Sequence, residues 1–323
     1  MGISKLFDKM KEQTLIFIDP ASLKRSITGK IIDFIMRTDL EIIGMKMFVP
    51  SKEFIDDYCK IKKSKISRDY VKSKYLGKRV MVIALEGDYA IEKVKDVVGK
   101  LSTEDNHWKG TQIRRMFYGG ARFSLKHFKR LYENVVQIAA DRREARQLLK
   151  LLWIKHHSNG NSLKELFGYT QGKNEKSFIL LKPEAIENRL IGKIIDELSK
   201  ADFKIVGIKI LKPTLNQVER HYAEHVGKPF YEGLVNHLSG LDNPDSNTKI
   251  IALVYQGPKY RAVASIREII GHKDPNQAKI GSIRRSFGKS MDANVIHASN
   301  GVEETAREIS IWDAENRLLS EIL

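Results

Sequence analysis

Apolar positions fall into short blocks along this chain, and their spacing alternates between two periods. Residues 14–18 (Thr-Leu-Ile-Phe-Ile) form an apolar run closed by Asp19-Pro20, which predicts a buried strand ended by proline. Residues 29–36 take up the apolar spacing of an amphipathic helix. Residues 40–49, rich in Ile, Met and Val, predict a second strand. The same order returns far downstream as strand 177–182, helix 192–201 and strand 203–211.

Shifting residues 14–59 forward by 163 turns this recurrence into an internal repeat with twelve identities in forty-six positions. Pro20 falls on Pro183, Gly44 on Gly207 and Pro50 on Pro213, and the block Gly29-Lys30-Ile31-Ile32-Asp33 falls on Gly192-Lys193-Ile194-Ile195-Asp196. With small changes of offset, residues 80–87 match 250–257 as a third strand. Ile113-Arg114-Arg115 then matches Ile283-Arg284-Arg285, and Asn134-Val135-Val136-Gln137 matches Asn294-Val295-Ile296-His297.

Each copy reads strand, helix, strand, helical stretch, strand, helix, long loop, strand, helix. Two β-α-β halves of this kind predict an α/β (α+β) fold, with two tandem ferredoxin-like α/β sandwich domains, each an antiparallel sheet covered by helices. The expected division is 1–155, a linker at 156–175 rich in Asn, Gly, Lys and Ser, and 176–323. Between their second and third strands the copies diverge. The first carries nine basic residues in 60–79 with Tyr70 and Tyr75 among them, and the second has a polar insertion at 241–247, read as a surface loop.

With 323 residues and 42% hydrophobic content the chain is long enough for two real cores. Its longest clean apolar run, 80–85, is far too short for a membrane span, and the start lacks the pattern of a signal peptide. A single cysteine, Cys59, excludes an internal disulfide, so a soluble, cytoplasmic protein is expected. The net charge of +16 is one-sided: residues 1–176 hold 36 Lys+Arg against 21 Asp+Glu, and 177–323 hold 20 against 19. That asymmetry raises a polyanion such as nucleic acid as a partner of the first half.

Candidate chemistry concentrates around Asn294-Val295-Ile296-His297-Ala298-Ser299, a short apolar run delivering one histidine to a loop. Glu308 follows on a predicted helix, Arg284 precedes, and Lys182 lies far upstream. A histidine with an orienting carboxylate, plus Lys and Arg to hold anionic oxygens, is what phosphoryl transfer through a phosphohistidine requires. Each residue also has an ordinary reading: His297 as a structural histidine, the cations as solvated charges, Tyr222 and Phe230 as core aromatics, Glu308 on an exposed helix face. His221, His225, His237 and the pair His156-His157 are read as structural or surface. No Cys/His cluster, Walker loop or dinucleotide fingerprint is present.

Several motifs in order make residues 177–312 resemble nucleoside diphosphate kinases: Leu181-Lys182-Pro183-Glu184, His221-Tyr222, Lys228-Pro229-Phe230-Tyr231, Gly281-Ser282-Ile283-Arg284, the His297 run, and Glu308-Ile309-Ser310-Ile311-Trp312. The resemblance implies ping-pong transfer of the ATP γ-phosphate to nucleoside diphosphates. His297 would be the nucleophile, oriented by Glu308, with Ser299 assisting at the terminal phosphate and Tyr222 supporting the site. Lys182, Arg267, Arg284 and Asn294 would hold phosphate and ribose oxygens, and Phe230 would cover the base. Mg²⁺ would arrive with the nucleotide. Lys273 aligns where the family has a phosphate-contacting Thr; Arg285-Ser286 replace Gly-Asp, the loop around Ile280 lacks the usual Pro, and Asn300 stands where Asp is common.

In the first copy Gln137 stands at the histidine position, Asp19 at the lysine, Cys59 at the tyrosine, and Gln147-Leu148 near the carboxylate, while Arg114 is kept. Residues 1–155 are therefore expected to be a degenerate, inactive kinase-like domain. It would pack on the active copy as family subunits pack on each other, giving a homo-oligomer in which three chains make a pseudo-hexamer. The competing reading is a nucleic-acid-binding or regulatory protein whose kinase-like half is silenced.

Overall fold

A computed structural model of the chain describes residues 11–62, 68–99, 112–117, 135–155, 175–200, 203–242, 247–257 and 261–313. Apart from residue 175, the linker expected at 156–175 lies outside them, as does the centre of the polar insertion at 241–247.

The first half runs β1 (Glu12–Ile18), α1 (Pro20–Lys24), α2 (Thr28–Met36), β2 (Glu41–Phe48), α3 (Lys52–Lys62), α4 (Arg68–Tyr75), β3 (Val80–Gly87), α5 (Ala90–Val98), α6 (Ile113–Met116), β4 (Val136–Ile138) and α7 (Arg142–Lys150), with a wide helical turn at Leu151–Lys155. The second half repeats it: β5 (Lys176–Leu181), α8 (Pro183–Glu187), α9 (Ile191–Ser199), β6 (Lys204–Leu211), α10 (Leu215–His221), α11 (Tyr231–Ser239), β7 (Ile250–Gln256), α12 (Ala262–Ile270), α13 (Ile283–Phe287), β8 (Ile296–Ala298) and α14 (Val302–Trp312). The predicted strands and helices fall within a few residues of these.

Each half is an antiparallel sheet, but the two sheets are not separate. They join edge to edge in one eight-stranded sheet of order β4-β1-β3-β2-β6-β7-β5-β8. The seam is an antiparallel bridge between β2 and β6 at Lys46 and Lys209, which are 163 positions apart and so equivalent in the repeat. A local twofold axis therefore runs through the middle of one chain. Lys46 is buried at this seam; its Nζ donates to the Leu152 carbonyl at 2.5 Å and lies 4.9 Å from the Trp153 ring centre. Burial and the facing Lys209 push its pKa down to about 7.

Both faces of the sheet are covered, which is why the strands read as continuous apolar runs rather than alternating ones. Ile16 and Ile18 of β1, like Ile179 and Leu181 of β5, enter a core on one face that both halves share. Leu15 and Phe17 enter a second core and Phe178 and Leu180 a third, one per half, on the opposite face.

On the shared face α2 crosses α9 at the best-kept block of the repeat, and the reason is steric. A Cβ placed on Gly192 would lie 2.3 Å from the Asp33 amide nitrogen, and one on Gly29 would lie 2.4 Å from that of Asp196. In an open helix, glycine to alanine gains about 1 kcal/mol. Here backbone meets backbone, so Gly192→Ala is expected to destabilise the protein by about 1–3 kcal/mol. Denaturant unfolding reads the sign, and a stabilised variant would refute the close crossing. Beside it Arg189, at φ 57°, donates to the Met36 and Leu40 carbonyls at 2.7 and 3.0 Å and also to that of Thr38, so a residue of the second half caps the end of α2.

Among the described residues no helix is long and apolar enough to cross a membrane. Much of the basic run at 60–79 is internally matched: Lys60 pairs with Asp57, Lys62 with Glu144, Arg68 with Asp56 and Lys74 with Asp19. It offers a polyanion less free charge than its composition implies.

Candidate active site

The short strand β8 sets the centre of the site. It pairs with β5 so that Leu180 faces His297, with Ile296 and Ala298 turned into the shared core. Alternation then aims His297 at the other face, where α10 and α14 bring His221, Tyr222, Glu308 and Trp312. The His297 ring lies edge-on to His221 at 4.5 Å between centres and to Tyr222 at 5.9 Å, and its side chain keeps 18% exposure.

His297 Nε2 is 2.7 Å from Glu308 Oε1. Glu308 is fully buried, and its second oxygen accepts from the Ser299 hydroxyl. The carboxylate thus fixes the proton on Nε2 and leaves the lone pair on Nδ1. Burial, with help from the Lys182, Arg284 and Arg267 charges and against the pull of Glu304, pushes His297 down to about 3, so the ring is neutral near pH 7. Burial also raises Glu308.

His221 was read from sequence as structural or surface, yet it touches this pair. Trp312 Nε1–H donates to His221 Nδ1 at 3.0 Å, making His221 a neutral acceptor behind His297, and burial drives its pKa well below the usual imidazole range. The sequence signal was available, since His221 adjoins Tyr222 in a quoted motif. Its role showed only once α14 was folded over it. His221, His297 and Glu308 also form the cluster among the described residues whose ligand atoms lie close enough to suit a metal ion, all within 4.8 Å.

Cationic groups converge on the same face. Lys182 is buried at the end of β5; its Nζ donates to the Asp292 carbonyl at 2.9 Å, and burial brings its pKa to about 8. Arg284 donates to the Gly271 and Ile296 carbonyls at 3.1 and 2.8 Å, and burial beside Arg267 lowers it to about 10. Arg267 contacts the Asn300 amide oxygen, so the Asn300 departure supplies its partner. Asn294 is buried, with its amide nitrogen on the Met291 and Lys273 carbonyls at 2.7 and 3.2 Å. Its Oδ1 and the Arg284 Nε are buried without a protein partner. The Arg284 orphan is shared with Arg114 Nε of the first half, so it is the Asn294 oxygen that marks where a polar ligand would complete the site.

Phe230 is 46% exposed, edge-on to His225 at 5.4 Å, as a stacking platform would be and a core aromatic would not. Tyr222 is buried, and burial raises its hydroxyl pKa. Lys273 has an exposed side chain, and its carbonyl accepts from the Asn294 side-chain amide. Arg285 uses its guanidinium to tie the Pro275 and Asn276 carbonyls at 3.3 and 3.2 Å, bracing the loop before α13.

The same position in the first half is filled from within. Gln137 pairs with Phe17 as His297 pairs with Leu180. Asp19 is fully buried and accepts from Lys74 Nζ and Tyr75 Oη, each at 2.6 Å. Burial raises Asp19 against the pull of Lys74, Tyr75 and Gln137. Its carboxylate is thus matched from within the first half. Helix α7 begins after Asp141 as α14 begins after Gly301, an offset of 160 that puts the buried Leu148 at the place of Glu308.

Comparison with known proteins matches the family model "Nucleoside diphosphate kinase" to residues 12–153 and again to 175–318. A nucleoside diphosphate kinase of Carboxydothermus hydrogenoformans is 38% identical over 146 residues, 45% of this chain and 92% of that protein. One of Staphylococcus epidermidis is 36% identical over 138 residues, 43% of this chain and 87% of its own length. Among solved structures, the apo enzyme of Encephalitozoon cuniculi shares 31% identity at a TM-score of 0.40, over 44% of this chain and 90% of that one.

Proposed function

Since the chain belongs to the nucleoside diphosphate kinase family, we propose that its second half moves the γ-phosphoryl group of ATP to nucleoside diphosphates in two half-reactions through His297. The chain is a phosphotransferase of that family, its relatives being 36–38% identical over most of their length. The observation that carries the histidine route is the Glu308 carboxylate 2.7 Å from His297 Nε2, which leaves Nδ1 free beside buried Lys182 and half-buried Arg284.

In the first half-reaction the Nδ1 lone pair attacks the γ-phosphorus, and the bond to the bridging oxygen breaks, its electrons leaving with ADP. The ring needs no prior deprotonation, because it is already neutral. As the ring gains positive character, Glu308 holds the Nε2 proton and offsets the charge. In the second, a terminal oxygen of the incoming diphosphate attacks the same phosphorus and the N–P bond breaks, returning the electron pair to Nδ1. Lys182, Arg284 and Arg267 hold the anionic oxygens. Asn294 Oδ1 would accept a ribose hydroxyl, and Phe230 would stack on the base, a contact that reads its flat face and so tolerates every base.

The family also implies Mg²⁺. The cleft offers cations and an amide, while its carboxylates Glu308 and Glu184 are buried and already hydrogen-bonded. A divalent ion would thus be held by the nucleotide's own phosphate oxygens, where it neutralises their charge. The first half serves as a non-catalytic partner domain: Gln137 is no phosphoryl acceptor, and Lys74 and Tyr75 occupy the Asp19 corner. Cys59 is a free thiol, which suits a reducing compartment, and we place the enzyme in the cytoplasm.

The test is to incubate the full chain with γ-labelled ATP and Mg²⁺ and to chase with unlabelled GDP. Acid-labile, alkali-stable label that chases into GTP is expected. Folded protein that takes no label would overturn the phosphohistidine route.

A further inference from the structure

The residue two positions before His297 is held in an unfavourable conformation. Val295 has φ 64°, and the Ile296 amide donates to the Asn294 carbonyl at 2.8 Å, which makes Val295 the centre of a positive-φ γ-turn. That turn is rare and strained for any L-residue, and more so for a β-branched one. Strain of this kind persists only where the surroundings over-determine it.

Here both polar groups of Val295 are gripped by one short segment. Its carbonyl accepts from the Lys182 amide at 3.0 Å, and its amide donates to Glu184 Oε1 at 3.0 Å in a buried setting. The other Glu184 oxygen lies 3.3 Å from His237 Nε2, and His237 Nδ1 lies 3.4 Å from Asp242. None of these three residues is needed to hold phosphate or base in the mechanism above.

The first half supplies an internal control. It keeps the backbone grip, with the Asp19 amide donating to the Val135 carbonyl at 3.2 Å. At the position 163 residues before Glu184 it has Ala21, so the carboxylate is missing. The half that lost its histidine lost this anchor as well.

We propose that Glu184, clasped by His237, is a positioning residue for phosphoryl transfer: it holds Val295 in its strained turn and so fixes where Asn294 and His297, on either side of that turn, meet the phosphate. The inference rests on the phosphohistidine reading of His297. The local charges fit it. Burial would raise Glu184, yet His237 and Lys182 together bring it below the usual carboxylate range, and the Glu184 hydrogen bond raises His237. His237 faces Glu184 from α8 and Asp242 from the turn after its own helix, and Lys182 faces Glu184 in turn. As pH rises through the elevated His237 value, an ion pair relaxes to a neutral hydrogen bond, so kcat should decline on that limb.

The experiment compares wild type, Glu184→Ala, Glu184→Gln, His237→Gln and the double variant Glu184→Ala/Val295→Gly, all as the full chain. Misplacing a reacting group by an ångström costs about 10²-fold, so Glu184→Ala should lose about 10- to 100-fold in kcat with nucleotide KM within about threefold. Adding Val295→Gly should recover about tenfold or more of that loss, because glycine adopts φ near +64° without strain. Glu184→Gln keeps an oxygen for the Val295 amide and should fall between, and His237→Gln should erase the alkaline limb. A merely structural Glu184 would lower stability without the glycine rescue. If Glu184→Ala does not fold, an unchanged kcat and pH profile in Glu184→Gln overturns the proposal. A wild type that takes no label from γ-labelled ATP overturns the phosphohistidine reading and this one together. A labelled wild type with an equally fast Glu184→Ala overturns the positioning role alone.

Discussion

His297→Gln should abolish turnover in a steady-state assay, by about 10⁴-fold or more, because a nucleophile removed from a coupled set takes most of the rate with it. The substitution copies what the first half already has at the same register, where Gln137 faces Phe17. The converse change is the sharper half of the prediction. Gln137→His placed in the His297→Gln chain should recover nothing measurable. A histidine there would find the apolar Leu148 where Glu308 stands in the second half, and a buried carboxylate, Asp19, where Lys182 stands. It would lack the Glu308 equivalent, and the carboxylate within its reach, Asp19, occupies the place where a cation must receive phosphate. Recovery of activity above about 10⁻³ of wild type would mean that the first half retains a working phosphate site.

Arg114→Ala and Arg284→Ala should separate structure from catalysis. The two arginines make the same pair of bonds: Arg114 to the Gly99 and Val136 carbonyls at 2.5 and 3.4 Å, Arg284 to those of Gly271 and Ile296 at 3.1 and 2.8 Å. Burial lowers both to about 10. Each ties the end of a helix to the last strand of its half. Truncation strands two carbonyls, so either variant should lose about 2–4 kcal/mol in denaturant unfolding. Arg284→Ala should also lose about 10²–10³ in kcat, as for removal of one electrostatic clamp. Arg114→Ala should leave kcat within about threefold. The retention of Arg114 in a half that lost its other catalytic groups is then a packing requirement rather than a remnant of nucleotide binding. A large catalytic loss in Arg114→Ala would contradict that account.

Much of this was readable before folding, because the repeat carries it. Matching Gln137 to His297 by offset anticipated the actual strand register, while the block around Gly29 and Gly192 was legible as a repeat but not as the crossing of α2 with α9. The quoted motifs placed Lys182, Arg284, Asn294, Ser299 and Glu308 around one histidine. What stayed hidden depends on long-range geometry. The seam between β2 and β6 is a bridge between two lysines, and backbone pairing leaves no side-chain signature in a sequence. His237 meets Glu184 across 53 residues, and Trp312 meets His221 across 91, so neither pair shows a spacing to detect.

The seam at Lys46 and Lys209 also governs how the protein behaves in dilute solution. An interface between two separate chains weakens as they are diluted, since its occupancy follows mass action. Here both sides belong to one polypeptide, and each sees the other at an effective concentration on the order of millimolar whatever the bulk value. The pairing of the two halves therefore cannot be titrated away, and the Arg189 cap on α2 and the shared core persist when only a few molecules are present.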